Sequence, residues 1–193
     1  MTDIAFSSAK PSFSPLRLQE RSLGWQAGAV VLGTLFLALS SYIEVPMVPV
    51  PVTMQTFAVT LVGALYGWRL GAITIAAWLA EGAVGFPVLA GGAAGVQHFI
   101  GPTGGYLFAF PVVGALVGWL AERGWNGGRV VLAFVAMLLG NLLCLALGTA
   151  WLAVIIGAEK AVAFGFLPFV LGGLLKSALG AATLMALPRG KAK

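Results

Sequence analysis

Apolar residues in this chain come in long runs, too long to be the stripes of helices that face water on one side. A membrane-spanning helix needs about 20 mostly apolar residues. Breaking the chain at charges, prolines and glycine clusters predicts six such helices, at roughly 25–42, 54–68, 70–84, 105–121, 130–154 and 166–187. The second and third are short and meet almost without a connector at Arg69. The fifth is long and carries a candidate break near Gly148.

Two uncharged stretches do not fit the helical pattern. In VPMVPVPVTMQTFAVTLVGALYG, residues 45–67, the prolines at 46, 49 and 51 each remove a backbone donor and fix φ, so the first part cannot be helical. Yet no charge interrupts the run from Val45 to Trp68. The second stretch, GFPVLAGGAAGVQHFIGPTGG at residues 85–105, also lacks Lys and Arg. Irregular backbone at membrane depth is tolerated only where it is buried in protein or lines a cavity. Both loops are therefore expected to form the lid and wall of a site that opens at one end of the bundle.

Composition supports a lipid environment. The 193 residues are 60% hydrophobic and only 9% charged, with a mean hydropathy of +0.99, whereas soluble domains carry about 25% charged residues. The 27 glycines and 6 tryptophans suit close helix packing and interfacial anchoring. The net charge of +5 does not indicate nucleic acid, because the basic residues form no stripe with interleaved aromatics. Their distribution fixes an orientation instead. Nine of the 11 (Lys10, Arg17, Arg21, Arg69, Arg123, Arg129, Arg189, Lys191 and Lys193) fall on one side of the predicted spans. Lys160 alone falls opposite, and Lys176 lies inside a span. The positive-inside rule then places both termini in the cytoplasm. Residues 1–22, of mixed charge and without an apolar run, read as a cytoplasmic tail and not a cleaved signal. Residues 23–193 read as one all-α, six-helix domain of a multi-pass cell-membrane protein.

The polar residues inside this apolar chain are the chemical candidates. Lys176 lies eight residues beyond Pro168, about 12 Å down the sixth helix. At that depth it needs either a structural partner, such as Glu44 or Glu81, or an anionic ligand group. Glu81 ends the third span, where a carboxylate can also simply face water. Asn141, in LLGNLLCL, can bond another helix or a ligand. Gln55 can cap the second helix or read a polar ring with its donor and acceptor. His98 has no second metal ligand near it in sequence, and Cys144 reads as a buried thiol in an apolar run. GGLLKS at residues 172–177 is not a phosphate loop, since Leu175 stands where glycine should precede the lysine. Gly24/Gly28 and Ala29/Gly33 mark a close-packing face on the first helix, internal or toward another subunit. No catalytic set or nucleotide motif emerges, so an enzyme is not expected and neither metal nor cofactor is called for.

Three boxes in order, VPMVPVPVTMQTFAVTLVGALYG, GFPVLAGGAAG and GPTGGYLFAF, resemble the BioY family, biotin-specific substrate-binding membrane subunits of energy-coupling-factor transporters. The resemblance runs from the first helix to the sixth. It implies six helices, biotin as ligand in an outward-facing pocket, and as partners a transmembrane coupling subunit with two ABC-type ATPases. It also implies that Ala29 and Gly33 form the partner interface. Together with the polar outliers, the boxes make Gln55, Gly91, Gly92, Tyr106, Asn141 and Lys176 the residues expected near the ligand, with Glu81 as a further candidate. Two positions depart from the family pattern. Gly173 stands where the last helix often carries an acid three residues before the lysine, and Leu89 replaces a commoner aromatic. Without that acid, Lys176 is expected to pair with biotin's carboxylate and not with its ureido carbonyl. An ion-coupled secondary transporter or a non-transporting membrane scaffold are the alternatives, separable by the energy source of uptake and by whether a small molecule binds at all.

Overall fold

The computed structural model describes Leu16 and residues 18–187, so most of the predicted tail and the basic residues at 10, 17, 189, 191 and 193 lie outside the described residues. Helices dominate: α1 (Leu23–Ser41), α2 (Gln55–Ala83), α3 (Gln97–Ile100), α4 (Gly104–Glu122), α5 (Val130–Ile156), α6 (Ala158–Ala161) and α7 (Leu167–Ala186). The proline ribbon folds into two short antiparallel strands, β1 (Glu44–Val45) and β2 (Val52–Thr53), with Glu44 opposite Thr53. The helices α1, α2, α4, α5 and the run Ala158–Ala186 are each long and apolar enough to cross a membrane.

Helix α2 is two arms, not one rod. Gly67 adopts φ 79° and ψ 173°, a left-handed conformation that favours glycine, and breaks the helix. A straight helix would hold residues 63 and 71 about 12 Å apart. A methyl group on Gly71 would instead stand 3.0 Å from the Gly63 Cα. The arms, residues 55–66 and 68–83, therefore double back on each other. Counted this way the helical segments number six, as the sequence predicts, with the boundary at Gly67 and not at Arg69.

Glycines let this hairpin meet α4 backbone to backbone. A side chain on Gly63 would run into Gly114, and one on Gly118 would stand 2.6 Å from the Gly67 carbonyl carbon and the Trp68 nitrogen. The Glu122 carboxylate closes the same end, accepting from the Trp68 N–H and from Gln19 Nε2, both at 3.2 Å. At the other side of that end, Gly127 packs against the Leu184 carbonyl of α7. One end of the bundle thus gathers residues 18–20, the Gly67 turn, residues 122–129 and the end of α7. Arg21, Arg69, Arg123 and Arg129 all belong to it. The ribbon, residues 84–103 and Gly157 make the opposite end.

Three boundaries differ from expectation. Helix α5 runs unbroken to Ile156, because Gly148 is filled from outside by the Tyr106 ring instead of bending the chain. The last helical run begins at Ala158 and not at 166, so Lys160 lies in α6 and only a turn at Gly157 (φ 88°) precedes it. Charges at a helix end in water cost little and need not stop a helix. The π-helical segment Val162–Phe166 then leads into α7, whose second residue is Pro168. Finally, residues 85–103 are not wholly irregular, since they contain α3 and a 3-10 turn at Ala90–Gly92.

Two experiments probe this arrangement. With Cys144→Ser as background, a cysteine at Val48, 91% exposed on the ribbon, should react with an impermeant thiol reagent in intact cells. One at Arg129 should react only after permeabilisation, and the reverse pattern would invert the orientation. Gly118→Leu should force α4 off the hairpin and destabilise the protein by about 1–3 kcal/mol. A melting temperature unchanged in detergent would show that the close approach is dispensable.

Candidate functional site

A cavity of about 410 Å³ opens at the ribbon end of the bundle. The proline ribbon forms one wall through Pro46, Met47 and Val50, and the second uncharged loop forms another through Leu89, Ala93 and His98. The helices supply the floor, where Phe110 of α4, Asn141 of α5 and Lys176 of α7 meet. Both loops are held rather than free. Tyr42 Oη donates to the Pro87 carbonyl at 2.6 Å and Trp78 Nε1 to the Val88 carbonyl at 2.9 Å. The Met54 N–H donates to the Ile43 carbonyl at 3.0 Å. The lid-and-wall arrangement expected of the two uncharged stretches is what the fold presents.

Four expected residues line this cavity. Gln55 sits at the start of α2, donates from Nε2 to Ser41 Oγ at 3.1 Å and accepts from Thr53 Oγ1 at 3.0 Å. It joins the end of α1 to the start of α2 while facing the cavity. Tyr106 stacks on Phe169 at 6.3 Å and donates to the Gly165 carbonyl at 2.7 Å. That carbonyl belongs to the π-helical segment Val162–Phe166. Asn141 donates from Nδ2 to the Met137 carbonyl at 3.0 Å and to Ser177 Oγ at 3.1 Å, tying α5 to α7. Lys176 donates to Thr56 Oγ1 at 3.2 Å, its one polar contact among the described residues. Neither Glu44 nor Glu81 pairs with it, so its charge is left facing the cavity.

The other expected residues lie elsewhere. Gly91 and Gly92 shape the 3-10 turn with φ of 61° and 81° and are not themselves in the lining; a side chain on Gly91 would meet Glu44 and one on Gly92 would meet Tyr42. Their neighbours Ala90 and Ala93 line it instead. Glu81 is absent from the lining and stands partly exposed near the end of α2. Ala29 and Gly33, expected at a partner interface, face inward. The Ala29 carbonyl accepts from Tyr66 Oη at 2.8 Å, and a methyl on Gly33 would stand 3.0 Å from the Tyr66 ring. Within the chain Ala29 and Gly33 pack on α2, while Gly24 and Gly28 of the same stripe face open space.

Sequence reasoning missed Thr56, Cys144 and Phe169 as cavity residues. Thr56 follows a candidate directly and Cys144 lies three residues from another on the same helix, so the helical period was a usable signal for the second. Nothing in the local sequence marks Phe169.

Comparison with known proteins follows the same lines. The family model described as "BioY family" matches residues 18–193. The chain is 38% identical to "Probable biotin transporter BioY" of Pyrococcus horikoshii, over 72% of this chain and 83% of that one. It is 36% identical to "Biotin transporter BioY2" of Lactococcus lactis subsp. cremoris, over 69% of this chain and 72% of that one. Its fold matches the crystal structure of the S-component for biotin from an ECF-type ABC transporter, with a TM-score of 0.71, 23% identity, and coverage of 86% of this chain and 93% of that chain.

The Tyr106 hydroxyl offers a test of how the site is braced. Tyr106→Phe keeps the ring on Phe169 but leaves the Gly165 carbonyl with the 3.4 Å contact from Thr149 Oγ1 as its one side-chain donor among the described residues. A loss of about 1–3 kcal/mol is expected, seen as a lower melting temperature with the cavity still able to bind. An unshifted melting curve would remove the hydroxyl from the bracing.

Proposed function

The chain belongs to the BioY family, and from that premise we propose that it is the biotin-binding membrane subunit of an energy-coupling-factor transporter. The observation that carries this reading is the match between cavity and ligand. Biotin has one carboxylate, a ureido ring that both donates and accepts, and an apolar thiophane. The cavity offers one lysine without an ion-pair partner, two buried amide side chains, and walls of Pro46, Met47, Val50, Leu89 and Phe110. Sites of this kind, largely apolar with a few converging polar groups, hold small molecules of this size.

In this reading the cavity end faces outward, and the four described arginines of the opposite end face the cytoplasm. Biotin enters between the proline ribbon and residues 85–103. The chain carries no nucleotide motif, so energy comes from partners: a transmembrane coupling subunit and two ABC-type ATPases. Uptake in cells should then fail on ATP depletion and survive an uncoupler. Titration of the purified protein with biotin tests the central statement, and absence of binding would overturn it.

Lys176 is assigned to biotin's carboxylate. A lone ammonium among helices is penalised by desolvation, and a bound carboxylate relieves the penalty. Truncating one member of a buried charge pair costs about 2–5 kcal/mol. Biotinamide should therefore bind the native protein far more weakly than biotin, and Lys176→Met should largely erase the difference. Equal binding of acid and amide by the native protein excludes the assignment.

A further inference from the structure

Buried glycines in these helices mostly stand where a side chain cannot fit. A methyl on Gly105 would collide with Trp151, one on Gly148 with Tyr106, and one on Gly180 with Met137. Gly173 is different. It is buried in α7 with ordinary helical backbone, and a methyl on it would stand 3.6 Å from Asn141 Cβ and 3.9 Å from Asn141 Oδ1, normal contact distances. Packing does not require glycine there. The open side of the position is the cavity, which Gly173 lines.

Asn141 faces the same space with a fixed orientation. Ser177 uses its only hydroxyl hydrogen to donate to the Gly173 carbonyl at 2.7 Å, so toward Asn141 its oxygen can only accept. The Met137 carbonyl also only accepts. Both neighbours therefore demand the Nδ2 end of the amide, and the choice between nitrogen and oxygen is decided by chemistry. Oδ1 is turned the other way. Asn141 is only 3% exposed, and no group among the described residues donates to Oδ1. No fully enclosed side-chain nitrogen or oxygen among those residues lacks a partner, so this unpartnered oxygen is one that reaches open space.

The floor of the cavity thus holds a neutral acceptor, a glycine beside it where a β-carbon meets only ordinary contacts, and Lys176 one turn further along α7. Glu44 is the one carboxylate in the lining, and it stands on the ribbon. We propose that Asn141 Oδ1 accepts the ring N–H of the ligand and that the site, with no carboxylate beside that acceptor, consequently selects an uncharged ring over a cationic one. The proposal rests on the biotin reading above and adds which residue meets the ureido group and what that excludes. A guanidinium ring would meet a neutral acceptor and no anion there, and an uncompensated buried charge is strongly disfavoured.

The test uses the purified full-length protein, biotin, and 2-iminobiotin in its guanidinium form, with affinities from calorimetric titration. The native protein should bind iminobiotin at least about 100-fold more weakly than biotin. Asn141→Leu should weaken biotin about 10- to 100-fold, and adding Gly173→Asp to it should restore much of the loss by supplying another acceptor. Because Asn141 also ties α5 to α7, Gly173→Asp alone is the second arm: its side chain fits, the Asn141 contacts stay, and the discrimination against iminobiotin should shrink at least about 10-fold. Equal native affinity for the two rings overturns the proposal, as does an unchanged ratio in Gly173→Asp or native-like biotin binding by Asn141→Leu. Failure of the native protein to bind biotin at all would instead remove the functional reading beneath it.

Discussion

Inside a bilayer, apolar side chains gain nothing by leaving lipid for one another, so helices associate through close van der Waals fit and a few hydrogen bonds. In this protein the fit is made of backbone. Gly63, Gly67 and Gly71 bring the two arms of α2 together, and Gly114 and Gly118 bring α4 onto them. At this contact a single β-carbon would hold the helices apart. The arms in turn decide where Gln55 and Thr56 sit at the ribbon end, and α4 decides where Tyr106 and Phe110 sit. The cavity is what remains between elements whose spacing is set elsewhere.

The polar contacts then specify which arrangement of those elements is adopted. Glu122 joins the stretch before α1, the Gly67 turn and α4 at one end. Gln55 and Ser41 join α1 to α2 at the other. Asn141 and Ser177 join α5 to α7 at mid-depth, and Tyr106 joins α4 to the Gly165 carbonyl of the π-helical segment. Each such bond is modest, about 0.6 kcal/mol on average between membrane helices. Their value lies in position, since three of them also orient cavity side chains, Gln55, Asn141 and Tyr106.

Much of this was legible in the sequence, and the parts that were not share a cause. Long apolar runs announced the spans, and prolines without charges announced a ribbon that had to be buried or line a cavity. Lys176 and Asn141 stood out because polar groups are rare in such runs. The glycines misled. In sequence, Gly33, Gly91, Gly92 and Gly148 look alike, yet one receives a tyrosine ring from another helix, two shape a turn whose neighbouring alanines line the cavity, and one was a candidate break that never forms. A glycine records that something comes close; what comes close is a tertiary fact. Charge misled similarly at Glu159 and Lys160, where a helix begins instead of a loop.

The Gly67 hairpin has a bearing on how the protein is made. Its arms are about 18 and 24 Å long, against a hydrocarbon core of ~30 Å, so neither is a comfortable span by itself. In the finished molecule this does not matter, because most of α2 is buried among other helices and lipid hardly touches it. During synthesis it does matter, because the groove that receives the hairpin is built from α4, which emerges later. The stretch 55–83 therefore leaves the ribosome before its binding surface exists, and its settled place in the membrane waits on a segment some twenty residues downstream.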